Sequence, residues 1–149
     1  AAGAYLSRFA DQDLLNAILR VQRSRGTMDV IRIALTDRLV GGGYSIAGVG
    51  YLRQADRDAI PQATDFLLTE ENVHTAIVYG ILLGEGDREV VVGSVRTSKL
   101  TLDVDHFLKS ALGSDARGRY YGGGRSRASN AAIPSSPTPS LSCSQANWR

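Results

Sequence analysis

Between positions 117 and 127 the chain reads Arg117-Gly118-Arg119-Tyr120-Tyr121-Gly122-Gly123-Gly124-Arg125-Ser126-Arg127, with four guanidinium groups, two phenols, three consecutive glycines and no acid. Guanidinium forks match phosphate oxygens in bidentate fashion. Glycine lets a backbone N–H approach a ligand with no Cβ in the way. Adjacent phenol rings offer faces on which a base can stack. Phosphate, sugar and ring together point to a nucleotide or a short nucleic-acid strand. The amides of Gly122, Gly123 and Gly124 would cradle an oxygen, Arg125 and Arg127 would meet phosphates, and Tyr120 or Tyr121 would stack. The same composition also suits a solvated glycine-rich loop whose arginines cap carbonyls or pair with distant acids.

A fifth arginine stands apart. Arg96 closes the run Ser94-Val95-Arg96-Thr97-Ser98, where a rigid strand end would aim it, with Ser94 beside it, toward the later loop. The competing reading is an ordinary strand-terminal arginine paired with an Asp or Glu. Catalytic constellations are missing. His74 and His106 have no second His or Cys at ligand spacing. Asp103 and Asp105 point to different sides of a helix, and capping accounts for Asp103. Ser94 and Ser98 have no adjacent base.

Those residues need a scaffold, and 149 residues with a 43% apolar and 21% charged composition can enclose one core. The net charge is only +2, so any attraction for anions must be local, as in the +4 of residues 117–127. The single Cys143 excludes a disulfide framework within the chain and fits a reducing compartment. No apolar run reaches membrane-spanning length, and a cytoplasmic location is expected. The chain starts at Ala1 rather than Met, which suggests that it begins partway into a longer protein.

Periodicity supplies the elements. Apolar positions 14, 15, 18, 19 and 21 predict a helix, and Thr27 is placed to cap a second one with Met28, Ile31, Ala34 and Leu35 on its buried face. Gly41-Gly42-Gly43 reads as a tight connection. Residues 45–51 form a short strand, followed by a helix with Pro61 in its first turn and Ala63, Phe66 and Leu67 toward the core, closing at Asn72. Residues 74–83 and 89–96 are β-rich runs joined as a hairpin. Asp103 then caps a helix with Val104, Phe107, Leu108, Ala111 and Leu112 at helical spacing, and Gly113 ends it. The fold class is α/β, a mixed β-sheet with helices packed on one face, preceded by a helical N-terminal segment. Residues 135–149 are Ser/Pro-rich and expected to be disordered, with Trp148 as a lone anchor.

The strand ending Gly93-Ser94-Val95-Arg96-Thr97-Ser98, the helix at 103–112 and the loop Gly122-Gly123-Gly124-Arg125 together resemble the C-terminal substrate-binding domain of DHH family phosphoesterases, which include oligoribonucleases and RecJ-like exonucleases. Ala47-Gly48-Val49-Gly50 and the stretch from Asp58 through Leu68 resemble the segment that joins the family's catalytic domain to this one. The likeness covers about residues 5–128. It implies a helical linker over 1–43, a substrate-binding domain over 44–134, and phosphoester hydrolysis by two manganese ions in a missing N-terminal catalytic domain. No cofactor is implied for this chain, whose 149 residues lack the Asp-His-His metal motif. By that resemblance Arg96 matches a strand-end arginine and Gly122 to Gly124 match the glycine loop. Arg125 stands where the family's commonest loop has histidine, which keeps a phosphate grip but loses a proton carrier. After Ala128 the family continues with glycines and a further strand, of which Ile133-Pro134 would be a remnant. The expected partner is a short oligonucleotide or nucleotide phosphate. A non-enzymatic regulatory module that forms a homodimer through its sheet is the alternative.

Overall fold

A computed structural model describes residues 22–83, 88–125 and 128–134. The helix expected before residue 22, the hairpin turn at 84–87, Ser126, Arg127 and the tail with Cys143 and Trp148 lie outside the described residues.

The first described helix, α1 (Arg25–Asp37), begins a turn earlier than expected: Ser24 is its N-cap, with Oγ accepting the Thr27 N–H at 3.1 Å. Its buried stripe is Thr27, Val30, Ile31 and Ala34, while Met28 is 54% exposed. Two stripes one position apart fit the same 3.6 period, and Val30 decides between them. Strands β1 (Leu39–Gly41) and β2 (Tyr44–Leu52) form a hairpin through Gly42 and Gly43, at φ 58° and 81°. Positive φ at both central residues is what a two-residue turn of this kind needs, so the triple glycine is turn chemistry. Helix α2 (Ala59–Leu67) then crosses over to β3 (Thr75–Leu83), parallel to β2. Strand β4 (Glu89–Thr97) returns antiparallel to β3, from Thr75 opposite Thr97 to Leu83 opposite Glu89.

Helix α3 (Val104–Leu112) starts at Asp103, whose carboxylate accepts the His106 N–H at 3.1 Å, and stops at Gly113, φ 69°. The stretch expected as a glycine loop continues as strand β5 (Gly122–Arg125), and β6 (Ala128–Pro134) folds back on it. The order across the sheet is β1-β2-β3-β4-β6-β5. The result is a mixed six-stranded sheet with three helices packed on it, the first of them ahead of the sheet.

Those helices occupy both faces, not one as expected. On one side Val30, Ile31 and Ala34 of α1 and Ile60, Ala63 and Leu67 of α2 pack with Ala47, Val49, Ala76, Val78, Leu82 and Val92. On the other, Val104 and Leu108 of α3 pack with Val95 and the partly buried Ile77. Val90-Val91-Val92 and Val95 make β4 apolar on both of its faces, and a strand read that way requires cover on both. Residues 25–41, within the stretch assigned to a linker, contribute α1 and β1 to this sheet and its core.

Leu67 is 1% exposed and Phe66 39%. Leu67→Ala should therefore lower the unfolding free energy by about 2–5 kcal/mol in urea titration, and Phe66→Ala by less than about half as much.

Candidate functional site

The alternation of β4 decides where Arg96 goes. Positions 92, 94 and 96 face the α1/α2 side, with Val92 in its core and Ser94 fully buried beneath α2. The Arg96 guanidinium donates from Nε to Asp65 Oδ1 of α2 at 2.9 Å, and from Nη1 to Ser94 Oγ at 2.9 Å and the Val95 carbonyl at 3.1 Å. Nη2 makes no hydrogen bond among the described residues. The Arg96 side chain is 18% exposed and that of Asp65 60%, so a fixed cation sits beside a solvated acid.

Register carries this row across the sheet. Arg96 lies opposite Ala128 of β6, and Ala128 opposite Arg125 of β5; in the next row on the same face, two residues along, Ser94 faces Asn130, which faces Gly123. Two inter-strand spacings separate Arg96 from position 125, roughly 10 Å. The structure thus brings Arg96, Ser94, Gly123 and the backbone of Arg125 into two neighbouring rows. Arg127 lies outside the described residues.

The glycines have a packing explanation. A Cβ on Gly122 would come within 3.1 Å of Leu108 Cβ and 3.2 Å of Leu112 Cδ1, and one on Gly123 within 3.2 Å of Asp105 Oδ1. Glycine at 122 and 123 lets α3 lie close over the edge strand. An anionic oxygen does sit on this backbone, and it is the protein's own: Gly124 N–H donates to Asp105 Oδ1 at 3.0 Å, and Lys109 Nζ to Asp105 Oδ2 at 2.6 Å. The Lys109 hydrogen bond first, and the Gly124 amide second, hold the Asp105 carboxyl below its ordinary range; the same pairing raises Lys109. Lys109 Nζ also lies 5.4 Å from the centroid of the Tyr120 ring.

The arginines of the loop before β5 are not all without an acid. Asp115, just upstream, accepts the N–H groups of Arg117 at 2.8 Å and Arg119 at 2.9 Å, and the Arg119 Nε at 2.9 Å. These backbone and side-chain donors, with Arg119's amide first, pull the Asp115 carboxyl down. Arg117, Arg119, Tyr120, Tyr121, Ala132 and Pro134 line an open cleft of about 580 Å³. Ala132 and Pro134 pair with Val92 and Val90, which puts the cleft about four residues along the sheet from Arg96, roughly 13 Å away. Tyr121 is half-buried there and Tyr120 exposed. The stacking residues and the strand-end arginine are therefore neighbours along one sheet and not the walls of one pocket.

His74 packs against Gly43 and stands edge-on to Tyr44 at 4.9 Å, with Nδ1 at 2.9 Å from Thr75 Oγ1. Among the described residues no three His, Cys, Asp or Glu side chains gather where a metal ion could be held. Among them, too, no helix is long and apolar enough to cross a membrane.

Sequence reasoning missed Asp65, Lys109 and Asp115. The i,i+4 spacing of Asp105 and Lys109 on one helix was a readable signal. Asp65 gave none, since its link to Arg96 spans 31 positions.

No family model matches the sequence. An uncharacterized protein of Methanocaldococcus jannaschii is 37% identical over 134 residues, which cover 89% of this chain and 25% of that protein. The chain thus spans about a quarter of the length of the curated relative it matches. Among solved structures, an exopolyphosphatase-related protein from Bacteroides fragilis superposes with a TM-score of 0.55 at 14% identity, over 85% of this chain and 35% of that one. What the two share is the fold. A pGpG-specific phosphodiesterase from Vibrio cholerae matches more distantly, with a TM-score of 0.39 at 12% identity over 74% of this chain and 34% of that one.

A carboxyl held low in the folded protein stabilises above the unfolded carboxylate range, and that contribution disappears as pH falls through the folded value. Acidification below the ordinary carboxylate range should therefore release Gly124 from Asp105, seen as lost protection of its amide against hydrogen exchange relative to the intrinsic rate. Asp105→Asn, which keeps the accepting oxygen but cannot titrate, should lack this acid step.

Proposed function

We propose that the chain binds a nucleotide phosphate or short oligonucleotide through the Arg96 end of its sheet, as the recognition part of a DHH-type phosphoesterase. One observation carries this reading: Arg96 is fixed at Nε by Asp65 and at Nη1 by Ser94 and keeps Nη2 for a ligand, in the cross-sheet row that ends at position 125. A guanidinium held this way loses little freedom on binding, which is the condition for a contact to add affinity. The exopolyphosphatase-related protein that shares the fold, and the resemblance of the strand-end arginine and glycine run to DHH phosphoesterases, both support a phosphate ligand.

Hydrolysis belongs to another part of a longer protein. The resemblance puts its two manganese ions in that part, the N-terminal catalytic domain. Here the chain's residues bind and orient: Arg96 on a phosphate, position 125 on its neighbour in the row, and the Tyr120/Tyr121 cleft on a base farther along. The protein's working compartment under this reading is the cytoplasm.

A second reading has its own observation. Tyr44, Ile46 and Tyr79 are 41%, 39% and 46% exposed on the sheet face opposite α1 and α2, an apolar surface suited to a homodimer.

Titration of a short labelled oligoribonucleotide separates the two. Arg96→Ala should weaken binding roughly ten- to hundredfold, the scale of a charge-assisted hydrogen bond, and Arg96→Ala with Arg125→Ala further still. Raising salt from about 50 to 200 mM should weaken the wild type by roughly three- to sevenfold if one or two phosphates are held. Equal affinity in the variants would remove these arginines from the site. A salt-insensitive dimer with no affinity for the oligonucleotide would favour the second reading.

A further inference from the structure

Arginine recognises a phosphate best through one of its two edges, each of which offers two parallel N–H groups. In Arg96 neither edge is complete. Nε is taken by Asp65, and Nη1 by Ser94 and the Val95 carbonyl, so any edge facing a ligand has one donor left, on Nη2. Ser94 is fully buried, and the Val95 carbonyl belongs to the β4–β6 ladder, where Val95 lies opposite Ser129. The second constraint is charge. The Asp65 carboxylate, in direct contact with the guanidinium, leaves the pair near neutrality, and it stands close enough to a ligand on Nη2 to repel each negative charge brought there.

We infer that Asp65 is a specificity-determining residue and that the Arg96 subsite takes the singly charged phosphate of a phosphodiester in preference to the doubly charged terminal phosphate of a monoester. This rests on the phosphate-binding reading of Arg96. A diester group can present one oxygen to a single donor while its lone charge meets an almost neutral pair. A monoester dianion asks for a full edge and a net positive site, and Arg96 with Asp65 supplies neither. Ser94 acts through Arg96 as a positioning residue. Asp65 is itself well exposed, so its influence is screened by water and modest.

The test uses two ligands that share base and sugar and differ by one charge: uridine 5′-monophosphate and its methyl phosphodiester. At pH 8 the monoester is a dianion, its second pKa being about 6. Affinities are read from amide shifts in NMR titrations of wild type, Asp65→Asn, Ser94→Ala and Arg96→Ala, each checked for an unchanged thermal transition. Asn at 65 keeps an oxygen for Nε and removes the charge. The wild type should prefer the diester, and Asp65→Asn should shift the ratio toward the monoester by roughly threefold or more, the scale of one screened charge. Ser94→Ala should weaken both ligands alike. A ratio in Asp65→Asn within about twofold of wild type, or a wild type that prefers the monoester, overturns the inference. The outcomes also separate the two claims. If Arg96→Ala binds both ligands as the wild type does, or the wild type binds neither, the phosphate reading fails and this inference with it. If Arg96→Ala loses both while Asp65→Asn leaves the ratio alone, only the inference fails.

Discussion

The insertion of Ala128–Pro134 between β4 and the glycine strand is the contact on which the site depends. Its seven pairings with β4, from Val90 opposite Pro134 to Arg96 opposite Ala128, bring position 125 into the row of Arg96 and Gly123 into that of Ser94. A slip of one residue would move each β6 side chain to the other face and offset both rows. Burial fixes β4 on both faces, Val92 beneath α1 and α2 and Val95 beneath α3, and β6 is held to it by the buried Ser129 and by Ala132 packed against the α1/α2 core. Closing α3 over the edge strand is possible only because Gly122 and Gly123 carry no side chain.

Electrostatically, several of the molecule's cations are paired before any ligand arrives. Arg96 holds Asp65, Lys109 holds Asp105, Arg119 holds Asp115 and Arg38 holds Glu70. Hydrogen bonding to Arg38 keeps Glu70 below its ordinary range and raises Arg38 in turn. With a net charge of +2, long-range steering of an anion is weak, and recognition rests on donors already fixed in place. That favours discrimination between phosphate types over indiscriminate capture of polyanions.

Much of the scaffold was legible. The hairpin over Thr75–Leu83 and Glu89–Thr97 and the helix from Asp103 to Gly113 follow from β-branched runs and from i,i+3,i+4 spacing with a cap at each end. Ala128–Pro134 was legible only at its end, where the resemblance made Ile133-Pro134 the remnant of a strand; Ala-Ser-Asn-Ala-Ala carries little intrinsic strand preference and pairs through its neighbours β4 and β5. The glycine strand was hidden for a related reason: a run of glycines reads as a loop until a helix is known to lie on it. The same run invited a ligand-cradle reading, whereas two of its glycines answer to Leu108, Leu112 and Asp105 and the amide of the third is held by Asp105. At Arg96 the plain alternative, a partner carboxylate, is present as Asp65. The Nη2 that has no hydrogen bond among the described residues, and the shared row, are what tertiary structure adds to that pairing.

The account stands most directly on where a ligand sits. Backbone amide shifts mapped during titration with a short oligoribonucleotide report this without any substitution. Shifts centred on Arg96, Ala128 and Gly123 to Arg125, extending toward Tyr121, are the predicted result. Shifts confined to the exposed face around Tyr44, Ile46 and Tyr79, or to the Arg117–Tyr120 loop alone, would contradict it.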